Sequence, residues 1–171
     1  QLEEAERLRL EAEAQDLLTY IDPDPVAHVA LPDGEQITMH LDAERTIAEF
    51  ARYCEADAES YRRLLAEFDE LRPLLAKARA FPVGYGPSLR DLLKEHPRGG
   101  IWARRMAMSA RDVILGEFVS PHVRAFMGWM AFQTAVPIDQ AGTGLLAYQI
   151  IAPRQARSWS IPMGGSGRLV D

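Results

Sequence analysis

The sequence has one cysteine, Cys54, in 171 residues. An internal disulfide is excluded, and a lone thiol at an apolar helical position is simplest as a small buried residue. This usage fits a reducing compartment, so a cytoplasmic location is expected. No apolar run approaches the roughly 18 residues a membrane helix needs, and no basic-then-apolar leader opens the chain. The four histidines, His28, His40, His96 and His122, lie in separate elements without metal-ligand spacing, which argues against zinc. There is no Gly-x-Ser-x-Gly elbow, Walker loop, HExxH pair or Gly-x-Gly-x-x-Gly dinucleotide fingerprint. A net charge of −6 argues against nucleic acid, whose binding rests on neutralising phosphates.

What is present describes one soluble globular domain: 47% hydrophobic and 26% charged residues, in a chain long enough to bury a core. Charge is divided unevenly. Residues 1–86 carry 9 basic and 19 acidic side chains, residues 87–171 carry 10 and 6. Either two helical faces are solvated differently, or the positive half faces an anionic cofactor or a membrane surface.

Leu2 to Leu18 is rich in Glu, Ala, Leu and Arg and reads as a leading charged helix over 1–18, without a clean apolar stripe. The Asp22-Pro23-Asp24-Pro25 run ends it, because a residue before proline is driven out of the helical region. His28 to Leu31, a Pro32-Asp33-Gly34 turn and an alternating Gln36 to Leu41 predict a hairpin, with Ile37, Met39 and Leu41 on its dry face. A lone hairpin is marginal in water and needs more strands or a helix over that face.

Helices should follow. Asp42 caps one with Ile47, Phe50, Ala51 and Cys54 on its apolar face. Asp57 or Ser60 opens a longer one through Tyr61, Leu64, Leu65, Phe68, Leu71, Leu75 and Ala78, kinked or broken near Leu71 by Pro73. Residues 81–87 form a semi-apolar loop that either rests on the core or lines a pocket. Ser88 with Asp91, and Ser109 with Asp112, cap two short helices, the first stopped by His96 to Gly100. Ser120-Pro121 starts a helix that is apolar around much of its circumference and therefore central. Its Phe126, Trp129 and Met130 are either core or the wall of a cavity for an apolar substrate. Leu145 to Ile151 makes a further apolar stretch, stopped at Ala152-Pro153. The expected fold is α+β and predominantly helical, with helices packed on a small antiparallel sheet containing a hairpin near residues 27–41.

Trp159-Ser160-Ile161 reads as a short strand, and Gly164-Gly165-Ser166-Gly167 frees the backbone before Arg168-Leu169-Val170 begins a helix. The glycine turn is a ligand-facing turn, an ordinary tight connection or a frayed tail. The chain starts with Gln1 and stops one turn into that helix, so an excised piece of a larger protein is expected.

Three pieces, in order, resemble the middle of phytoene dehydrogenase-like FAD-dependent oxidoreductases, within the flavin amine oxidase and carotenoid desaturase superfamily. The first is Asp24-Pro25 with Leu31-Pro32-Asp33-Gly34 and Leu41-Asp42. The second is Phe118-Val119-Ser120-Pro121-His122-Val123-Arg124-Ala125. The third is Trp159-Ser160-Ile161-Pro162-Met163-Gly164-Gly165-Ser166-Gly167-Arg168-Leu169-Val170. The resemblance spans about Tyr20 to Asp171, whereas Gln1 to Leu18 matches the family poorly. It implies that 19–171 is the substrate, or cap, domain of a larger flavoprotein whose FAD-binding domain lies outside this sequence. It further implies Gly164, Gly165 and Ser166 near the flavin, Phe126, Trp129 and Met130 at the cavity of an apolar small-molecule substrate, and hydride transfer to FAD as the reaction. FAD is not expected to stay bound to this chain alone. The implied partners are the FAD domain and the substrate; membrane-surface contact is compatible, and exposed sheet edges would favour self-association. The alternative is a free-standing helical interaction module without catalytic activity.

Overall fold

The computed structural model describes residues 19–82 and 84–169. The expected leading helix over 1–18 lies outside the described residues. After β1 (Tyr20–Ile21), the chain makes the hairpin β2 (Ala27–Ala30) and β3 (Gln36–Met39), then α1 (Ala43–Ala51), α2 (Glu55–Arg79), α3 (Leu89–Lys94), α4 (Gly99–Ala107), α5 (Ala110–Glu117) and α6 (Pro121–Phe132). Two short helices, α7 (Leu146–Gln149) and α8 (Ile151–Ala156), lead to β4 (Ile161–Pro162) and a 3-10 turn at Ser166–Leu169. The fold is α+β and predominantly helical.

The hairpin pairs Ala27 with Met39 and Ala30 with Gln36 around the Pro32-Asp33-Gly34 turn, where Gly34 takes φ +88°. Its dry face buries Ile37 and Met39 completely. The alternation ends there: Leu41 has left the ladder and is exposed. The expected single sheet is two separate two-stranded ladders, β2–β3 and β1–β4. In the second, Tyr20 pairs with Pro162 and Ile21 with Ile161, so the segment before the hairpin and the segment after α8 run side by side.

Packing centres on α6. Its Val123, Phe126, Met127, Met130 and Ala131 are buried. Phe50 of α1 joins Tyr61 of α2, Phe118 and Phe126 at ring-centroid distances of 4.7, 6.5 and 5.5 Å, an aromatic junction of tilted and edge-on rings. Trp102 of α4 meets Tyr148 of α7 edge-on at 5.1 Å. Three caps form as their residues suggest, Asp42, Ser88 and Ser109 accepting from the amides of Glu44, Asp91 and Asp112.

Several expectations are corrected. The long helix starts at Glu55, two residues before Asp57, and runs unbroken through Pro73, whose ring lies on an exposed face. Gly99 and Gly100 do not simply stop α3; they open α4. A side chain at Gly99 would place Cβ 1.7 Å from the Leu93 carbonyl oxygen, and only glycine admits that approach. The apolar stretch after Leu145 divides into α7 and α8, and Pro153 sits in the first turn of α8, where its missing N–H costs nothing.

Candidate functional site

Helices α5 and α6 pack on each other across the tight Phe118–Ser120 link and leave an open groove of about 570 Å³ between their outer faces. Leu115 contributes from α5, Ala125, Gly128, Trp129 and Phe132 from α6, and Ile138 closes the far end. Trp129 is 43% and Phe132 55% exposed. An α-helix that is apolar all round should bury its whole circumference; α6 does not, and these rings are where it fails. Arg124 lines the groove while donating from Nε to the Phe118 carbonyl at 2.6 Å and from Nη2 to the Leu115 carbonyl at 2.9 Å. Its charge thus sits on the carbonyl end of α5, a favourable place for a cation.

The link between the helices is held by a residue far away in sequence. Asp57, in the first turn of α2, is fully buried and accepts from the amides of Val119 at 2.6 Å and Ser120 at 2.8 Å. Ser120 precedes α6 as expected, with Pro121 in the first turn, but its hydroxyl makes no capping bond. Asp57 instead holds the two amides just ahead of the helix, fixing the direction in which the chain enters it.

Next to the groove lies a smaller cleft of about 320 Å³ between the hairpin turn and α6, lined by Leu31, Pro32, Asp33, His122 and the shared Pro121 and Ala125. His122 Nε2 lies 2.6 Å from Asp33 Oδ2, and its ring stacks on Tyr53 at 4.8 Å and 25°. The hydrogen bond from His122 holds the Asp33 carboxyl below its usual value.

On the opposite side of α5, a charged lattice ties α2, α4 and α5 together. Glu67 takes guanidinium bonds from Arg98 and from Arg105 at 2.8 Å, and Glu117 from Arg105 at 2.7 Å and Arg63 at 3.0 Å. Burial pushes the Glu117 carboxyl up, but the bonds from Arg63 and Arg105 outweigh it and leave it below its ordinary value. The smaller cleft beside them holds about 270 Å³. Arg105 and Glu117, which line that cleft, are already paired with each other and with Glu67 and Arg63. A second apolar groove, of about 600 Å³, lies between α2 and α8. The Gln155 amide in its wall is already spent on the carbonyls of His40 and Leu41 and on the buried Tyr61 hydroxyl.

The residues singled out from sequence divide. Phe126 and Met130 are fully buried core, facing away from solvent; Trp129 lines the groove. Gly164, Gly165 and Ser166 are exposed in the turn after β4, with φ +86° and +88° at the two glycines. A Cβ added at Gly165 would meet nothing within 4 Å, so the turn is open and forms no cradle for a flavin ring system. These residues do not by themselves fit FAD. Sequence reading missed Asp33, Tyr53 and His122 as a connected set, and Asp57 as the acceptor of the Val119 and Ser120 amides. Asp33 and His122 are 89 positions apart, and each carries an ordinary local reading as a turn residue and a surface histidine.

Among the described residues, no group of His, Cys, Asp and Glu is arranged to hold a metal, and no helix is long and apolar enough to cross a membrane. No protein-family profile matches the chain, and no curated protein matches it.

Proposed function

We propose that the chain is a substrate-binding domain of the cap type, similar to that of phytoene dehydrogenase-like FAD-dependent oxidoreductases, and that it holds an apolar small molecule in the groove between α5 and α6. What carries this is the groove itself: a volume within the range of small-molecule sites, walled by Leu115, Ala125, Trp129, Phe132 and Ile138, with a small number of polar groups at its ends. The β1–β4 ladder lends support. It sets Tyr20–Ile21 beside Ile161–Pro162 as neighbouring strands, an arrangement compatible with the insertion this reading requires. Since Gly164 to Ser166 form no flavin cradle, the flavin would be held by the remainder of the polypeptide, and no step of the chemistry is assigned to this chain. The same reading carries a cytoplasmic location, with the groove face, edged by Arg111 and Arg124, meeting the membrane surface from which an apolar molecule is drawn.

Trp129 reports occupancy. Of the three tryptophans Trp102 is fully buried and Trp159 is covered by the Arg154 guanidinium at 3.6 Å. Titration of the chain with a long-chain alkane derivative should therefore give a saturable fluorescence change that Trp129→Phe removes. A linear, non-saturating response in the wild-type chain would defeat the small-molecule reading. A helical interaction module would instead bury the same exposed stripe against a partner.

A further inference from the structure

His122 stands where the groove wall stops being apolar. Three elements fix its ring: Asp33 from the hairpin turn on Nε2, Tyr53 from just past the end of α1 on its face, and its own backbone in the first turn of α6. Tyr53 is held in turn, its hydroxyl 2.9 Å from Glu35 Oε2 and 3.0 Å from the Gln36 carbonyl, with Arg52 standing 3.7 Å from Glu35. The carboxylate chooses the tautomer. Asp33 is ionised and can only accept, so Nε2 must carry the hydrogen, and a neutral ring then presents Nδ1 as a bare acceptor. Nδ1 has no partner among the described residues, and the ring it belongs to lines the cleft.

The groove adjoins the cleft that holds this ring. Pro121, Ala125, Gly128, Trp129 and Phe132 recur at helical spacing along one stripe of α6. At a rise of about 1.5 Å per residue that stripe runs for about 16 Å. Pro121 and Ala125 line both the groove and the His122 cleft. The site is thus a long apolar stripe that ends at a polar pair, the Asp33 carboxylate and the His122 ring.

We propose that its ligand is a long-chain alcohol, the hydrocarbon lying along the α6 stripe and the terminal hydroxyl donating to His122 Nδ1. A carboxylate head would meet the Asp33 charge at the same spot, and a hydrocarbon without a head would make no use of Nδ1. This names the substrate class of the groove and rests on the groove being a ligand site.

The test is a Trp129 fluorescence titration of the 171-residue chain with decan-1-ol, its methyl ether and decanoate at neutral pH. Decan-1-ol should bind about fivefold tighter than the ether, the value of one neutral hydrogen bond. His122→Phe, which keeps the stack on Tyr53 and removes both ring nitrogens, should abolish that preference. Independently of any variant, nitrogen shifts of His122 in the unliganded chain should report the Nε2–H tautomer. Equal affinities for alcohol and ether, tighter binding of decanoate, or an Nδ1–H tautomer would each overturn the proposal and leave the groove standing. No Trp129 response to any of the three would remove the groove as a ligand site, and this proposal with it.

Discussion

Replacing Asp57 should cost far more stability than removing an exposed helix cap. Its carboxylate is fully buried and accepts two short backbone bonds, from Val119 and Ser120. It lies in the first turn of α2 and faces the start of α6, so the amide ends of two helices converge on one negative charge. Hydrogen bonds to a charged acceptor contribute about 1.5–3 kcal/mol each, and a buried N–H left without a partner costs about 1–3 kcal/mol. Asp57→Asn keeps one acceptor oxygen but turns an NH₂ group toward the other amide, so about 2–3 kcal/mol should be lost. Asp57→Ala strands both amides and should cost about 3–5 kcal/mol. For a domain of this length, the Asn variant should lower Tm by about 5–10 °C. By contrast Ser88→Ala, at an exposed cap, should cost about 1 kcal/mol. Urea unfolding measures the difference, and amide exchange localises it to Val119 and Ser120. An Asp57→Asn variant within about 0.5 kcal/mol of wild type, the range of an ordinary surface substitution, with both amides still protected, would refute the reasoning.

Pro73→Ala should stabilise the chain by up to about 3 kcal/mol, because it restores an N–H and removes a ring from the interior of α2 at an exposed position; an unchanged Tm would show that the backbone has already relieved the proline. Gly144→Ala should destabilise by about 1–3 kcal/mol or more, since its Cβ would stand 1.9 Å from the Arg105 carbonyl oxygen and backbone must move; urea unfolding would report it, and wild-type stability would contradict the close approach. Glu117 has its folded pKa held below the ordinary 4.5, so its contribution is complete above that value and is lost as pH falls through the folded pKa. Glu117→Gln should therefore flatten this part of the acid limb of a stability profile, and an unaltered limb would count against the Arg63–Glu117–Arg105 lattice as a source of acid sensitivity.

Local chemistry was legible where one short stretch decides the outcome. Pro32-Asp33-Gly34 makes its turn, Asp42, Ser88 and Ser109 make their caps, and the 3.6-residue period finds the buried faces of α1 and α2. Failures came where a distant group overrides the local preference. Gly99 looked like a stop because its small size was referred to its own turn, whereas the constraint is the Leu93 carbonyl packed against it. Asp57 looked like a cap for α2, but its acceptor capacity is taken up more than sixty residues away. Trp129 and Met130, adjacent on one helix, point to opposite fates, and only the placement of α5 decides which face is covered. The candidate site was therefore half legible: its wall in the apolar content of α6, its polar end not at all.

The groove floor offers the sharpest separation of binding from folding. Gly128 lies within α6, where glycine is about 1 kcal/mol less favourable than alanine. Nothing about its surroundings requires it: its φ is ordinary, and an added Cβ would meet only Ile138 Cδ1, at 3.5 Å. What glycine does at this position is leave space between Ala125 and the Trp129 and Phe132 rings. Gly128→Leu would fill that space with a side chain able to cover both rings, adding apolar burial of about 25 cal/mol per Å² on top of the helix-propensity gain. If the groove is only an imperfectly packed face, the variant simply becomes more stable. If it is a ligand site, the variant is at least as stable as wild type by urea unfolding and yet loses the saturable Trp129 response to decan-1-ol. Undiminished ligand affinity in a stable Gly128→Leu chain would place the binding elsewhere and take the α5–α6 groove out of consideration.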